Sequence, residues 1–121
     1  MKINVLMPDG LKQYFKVEMN TYDRYKKNLH FSRAWTALER AHILGQSYPV
    51  EHSKIHWLML KEGFRRRNVK EIFGQLIRLL TGGFKSFINA VPIGNTGGAN
   101  VPPLRKMEIP DDLKHILSQY Q

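Results

Sequence analysis

The sequence has 121 residues, 42% of them hydrophobic, which suits one globular domain spanning 1–121. Nineteen Lys and Arg against ten Asp and Glu give a formal net charge of +9, a field that attracts polyanions, and the absence of cysteine excludes disulfides, thiolate metal sites, iron–sulfur clusters and a cysteine nucleophile. No run approaches about 18 apolar residues and the opening residues lack a secretory signal, so the expectation is a cytoplasmic protein without a transmembrane segment.

The first predicted helix runs from Pro8 to Lys27, with Leu11, Tyr14, Phe15, Met19 and Tyr22 at three- and four-residue steps and Asn28 ending it. The second, Phe31 to Gln46, places Phe31, Ala34, Ala37, Leu38, Ala41 and Leu44 on one stripe, and Gly45 and Pro49 stop it. Pro49 then opens a third helix to Arg66, with Glu51 near its positive end. Asn68 with Glu71 three residues on is a capping-box-like start for a fourth, Val69 to Leu80. The pair Gly82-Gly83 predicts a break, followed by a short helix from Phe84 to Val91. A Pro- and Gly-rich loop over 92–110 comes next, and a last helical turn or two, Asp111 to Tyr120, closes the chain.

Short connections between the second, third and fourth helices predict antiparallel neighbours. The fold class is therefore all-α, a compact antiparallel bundle of about five helices with the C-terminal loop packed on it. Its expected core includes Leu38, Ala41, Leu58, Met59, Ile72, Leu76 and Leu80.

Two resemblances add to this. The stretch HWLMLKEGFRRRNVKEIFGQLIRLL, with Phe31 to Gln46 before it, resembles tetratricopeptide-like helix hairpins over about Phe31 to Leu80. The combination of RAHILGQ (Arg40 to Gln46), HWLML (His56 to Leu60), Arg65-Arg66-Arg67 and PIGNTGGANV (Pro92 to Val101) resembles a family of small, single-domain bacterial proteins of unknown function. That resemblance implies a bacterial, fold-sized unit and no mechanism.

The sharpest chemical pattern is Glu39-x-x-His42 followed by His52-x-x-x-His56. Spacings of three and four put side chains on adjacent turns of one helix face. Counted from the turn around Ser47, His42 and His52 lie five residues away and Glu39 and His56 eight and nine, so an antiparallel hairpin sets each pair at matching height and the four side chains can converge. Three His and one Glu suit a transition metal such as zinc. The same histidines also fit an ordinary buried set bonded to backbone carbonyls.

Asn95, Thr96, Gly97 and Gly98 lie in a glycine-rich stretch whose amides can form an anion-binding nest, or simply tight turns. Arg65, Arg66 and Arg67 make a basic edge for an anion or partner. No nucleophile elbow, Ser–His–Asp order or carboxylate pair stands out, so the sequence leans away from an enzyme without excluding one. The expected function is a binding module for a peptide or acidic protein partner. The alternatives are metal binding through the His/Glu cluster, and binding to nucleic acid or an anionic membrane surface.

Overall fold

A computed structural model describes residues 6–87, 98 and 107–120, with backbone alone over 81–87. Five helices are present among them: α1 (Asp9–Lys27), α2 (Phe31–Gly45), α3 (Pro49–Arg65), α4 (Val69–Phe87) and α5 (Asp111–Ser118). The described residues contain no strand. Helix α1 packs along α2, α3 along α4, and α2 against α3, while α5 lies on α1 and α2.

The termini follow from local chemistry. Helix α3 begins with Pro49 in its first turn, where a missing N–H costs nothing. Asn68 caps α4 by accepting the Glu71 N–H on its Oδ1 at 3.0 Å. Only half of the capping box forms, because the Glu71 carboxylate turns inward instead of returning to Asn68. Helices α1 and α3 both end in Schellman geometry: His30 N–H bonds to Tyr25 O at 2.9 Å and Asn68 N–H to Gly63 O at 3.0 Å. The residues at the left-handed positions are Leu29 (φ 61°) and Arg67 (φ 54°) rather than glycine.

Helix α4 corrects the sequence reading in extent and in orientation. It passes through Gly82-Gly83 to Phe87, so the predicted break is absent and the helix expected to start at Phe84 begins inside α4. Glycine costs about 1 kcal/mol in a helix interior, and a helix already three turns long propagates through it. The rest of that predicted helix, and the loop over 92–106 apart from Gly98, lie outside the described residues.

The core collects Leu11, Phe15 and Tyr22 of α1, Ala34, Ala37, Leu38, Ala41 and Leu44 of α2, Ile55 and Met59 of α3, and Leu113 of α5. Leu38, Ala41 and Met59 are buried as expected, and Leu58 packs partly buried against them. Leu76 and Leu80 are not core residues. Leu76 is 45% and Leu80 85% exposed, together with Phe73 and Ile77, and Ile72 is half-buried. The side of α4 turned inward carries Glu71, Gln75 and Arg78, all buried. Amphipathic spacing fixes that one face of a helix is apolar but not which face turns inward, and here the polar face does.

Candidate metal centre

His42 stands in the last turn of α2, and His52 and His56 stand one turn apart at the start of α3. Close approach of the two helices is set by Gly45: a Cβ there would meet Glu51 Cβ at 3.0 Å and the Phe15 ring at 3.1 Å. With α2 and α3 this close, the His42 ring meets the other two edge to face and His52 and His56 are tilted against each other, ring centroids 4.6–4.9 Å apart. All three histidines are buried.

Their Nε2 atoms form a triangle. His42 to His56 is 3.2 Å, His52 to His42 3.1 Å and His56 to His52 2.9 Å. Three corners of a tetrahedron about an ion, at metal–nitrogen bonds of about 2.0–2.1 Å, lie about 3.3–3.4 Å apart. The triangle is thus within a few tenths of an ångström of a three-histidine coordination face, with a fourth position left for another ligand. Neutral imidazole suits zinc, copper, nickel or iron and not the oxygen-seeking calcium or magnesium.

Behind the triangle runs a buried relay from α4. His56 Nδ1 donates to Gln75 Oε1 at 2.5 Å, and Gln75 Nε2 donates to Glu71 Oε2 at 2.6 Å. The roles are forced from the far end. A carboxylate only accepts, so the amide turns its NH2 to Glu71 and its oxygen to His56, whose Nδ1 must carry a proton. A neutral His56 therefore holds its lone pair at Nε2, pointing into the triangle. Arg78, one turn beyond Gln75, is held below its ordinary pKa by burial, and the Glu71 charge partly offsets this.

The protons of the triangle cannot be arranged without conflict. Each Nε2 either donates or accepts, and three mutually touching atoms cannot alternate between two roles. At least one of the three contacts always joins like to like, two lone pairs or two N–H groups, in a water-poor setting where such a mismatch is costly. A cation accepted by all three lone pairs removes the conflict.

Glu39, grouped with these histidines by sequence spacing, sits half-buried one turn before His42 and is not among the ligand atoms that lie within 4.8 Å of one another; that group is His42, His52 and His56. Gln75 and Glu71 are the residues that the sequence reading passed over as site members. The available signal is two polar residues at i and i+4, with Arg78 a turn later, inside an apolar stretch.

Arg65 pairs with Glu62 at 2.8 Å and lies 3.5 Å over the Phe31 ring, and Arg66 lies 4.6 Å over Trp35. Both therefore fasten the end of α3 to α2 while remaining exposed, and Arg67 is exposed beside them. Of the predicted anion-binding loop, Gly98 is buried and Asn95, Thr96 and Gly97 lie outside the described residues.

No described helix is long and apolar enough to cross a membrane. Neither a curated protein nor a solved structure matches the chain. Residues 9–117, nearly the whole helical unit and all three histidines, match the family described as "Protein of unknown function (DUF3703)", and the chain belongs to that family.

Proposed function

We propose that this protein binds a single transition-metal ion, of the zinc, copper or nickel class, through His42, His52 and His56. The observation that carries the reading is the Nε2 triangle with sides of 2.9–3.2 Å, closed by a relay that turns the His56 lone pair inward. A histidine that gives its second nitrogen to a carbonyl oxygen or carboxylate is the usual setting of a metal ligand. The cysteine-free sequence fits a cytoplasmic setting for such a site.

Calorimetric titration of chelator-treated protein with zinc, nickel and copper tests this. The expected outcome is one ion per chain. The melting temperature rises with metal, since ligand at about 100 times its dissociation constant adds about 2.7 kcal/mol to native-state stability. His52→Ala and His56→Ala each abolish the heat, while His115→Ala, at an exposed position of α5, leaves it intact. Acid releases the ion, because a protonated imidazole cannot ligate. Heat no greater than that of the triple His→Ala variant would end the proposal.

A second reading, that the chain is also an interaction module, is supported by the exposed apolar face of α4, on which Phe73 and Leu80 are 65% and 85% exposed. Single-domain proteins seldom leave such a row uncovered.

A further inference from the structure

We infer that the outward face of α4 docks on an anionic lipid bilayer, an inference that rests on reading that face as an interaction surface. Val69, Phe73, Leu76, Ile77 and Leu80 are all exposed. Their spacing keeps them on one arc of the helix for three turns, about 16 Å. The stripe is not left over from poor packing. Glu71, Gln75 and Arg78 occupy the inward side of the same helix, so its apolar side has nowhere to face but out.

Charge selects the occupant. Between residues 57 and 80 every exposed charged residue is a cation: Lys61, Arg65, Arg66, Arg67 and Lys70. The two acids of that stretch are buried, Glu62 with Tyr22 and Arg65, and Glu71 with Gln75. Arg67 and Lys70 flank Val69 in the chain and so put cations at the start of a short row of aromatic and aliphatic side chains, which matches the interface of an anionic membrane, where apolar groups enter the acyl boundary and Lys and Arg stay among the headgroups. A second copy fits worse. A two-fold contact would set this cationic stretch beside its own image in a chain of net charge +9.

The test is flotation of the full chain with vesicles of phosphatidylcholine alone and of phosphatidylcholine with phosphatidylglycerol, at low and high salt. Binding to the phosphatidylglycerol vesicles should be at least about tenfold tighter than to the neutral ones, and should weaken with salt. The double variant Phe73→Gln/Leu80→Gln alters exposed positions and should keep its helicity and melting temperature while losing flotation. No flotation of the wild-type chain overturns the bilayer. So does flotation that survives the double variant but is lost in Lys61→Gln/Arg67→Gln/Lys70→Gln, since adhesion would then be purely electrostatic. Sedimentation velocity separates the remaining failures. A wild-type dimer that becomes a monomer in the Phe73/Leu80 variant makes the occupant a second copy and keeps the interaction surface. A monomer in both, with no flotation, removes the surface reading as well.

Discussion

Replacing Gln75 by leucine keeps most of its volume and removes both ends of the bridge between His56 and Glu71. His56 then has no Gln75 oxygen to fix which nitrogen is protonated, and Glu71 loses an amide donor. Metal affinity should fall about 10- to 100-fold, as for other outer partners of ligating histidines, with helicity unchanged. Competition against a chromophoric chelator reads this directly. Glu71→Gln should have a smaller effect in the same direction, because the amide of residue 75 is then free to flip and offer its NH2 to His56. An affinity unchanged in both variants would reduce the relay to packing. The histidines themselves were legible in the sequence, since spacings of three and four around one turn leave little freedom. Gln75 was not, because its place depends on how α4 is rotated about its own axis.

That rotation is where sequence reasoning about the elements failed. The apolar residues of α4 recur at helical spacing, which predicts a place in the core, yet Leu76 and Leu80 face outward. Periodicity reports that two faces differ, and burial goes to whichever face finds partners; here these are His56 and Met59, which Gln75 reaches at 2.5 and 3.5 Å. Helix starts were more legible than helix ends. Pro49 and Asn68 act where their chemistry predicts, whereas the glycine pair at 82–83 does not break α4. The ends of α1 and α3 make a further expectation. Leu29 and Arg67 hold left-handed backbone that costs an L-residue about 1–2 kcal/mol, and glycine adopts it freely. Leu29→Gly, which also removes an exposed apolar side chain, should raise stability by about 0.5–1 kcal/mol after the entropy of glycine is counted. Denaturant midpoints measure it, and a lower midpoint would mean that Leu29 makes contacts worth more than its backbone strain.

Across the whole molecule, Arg40 ties three helices together. Its guanidinium bonds to Glu18 of α1 at 2.7 Å and to both carboxylate oxygens of Asp112 at the start of α5. The Arg40 hydrogen bonds hold the Asp112 carboxyl below its ordinary pKa. A depressed carboxyl stabilises the fold fully above its unfolded value, about 4, and loses that contribution as pH falls through the lower folded value. The melting temperature should therefore drop on acidification below about pH 4, and Asp112→Asn should shrink the drop. An equal drop in wild type and variant would place the acid sensitivity elsewhere. This tie links residues 72 apart in sequence, and no local pattern announces it.

The triangle of imidazoles has a consequence for the metal-free chain. An odd ring of two-role atoms is frustrated in the sense used for spins on a triangle: no proton assignment is best for every edge. The relay leaves His56 as an acceptor at Nε2, so every assignment of the other two Nε2 atoms keeps at least one like contact. Either both donate to His56 and repel each other, or one donates and the other adds a second lone pair. A cation at the centre of the triangle would relieve that mismatch whichever assignment holds, an attraction that requires no negatively charged ligand.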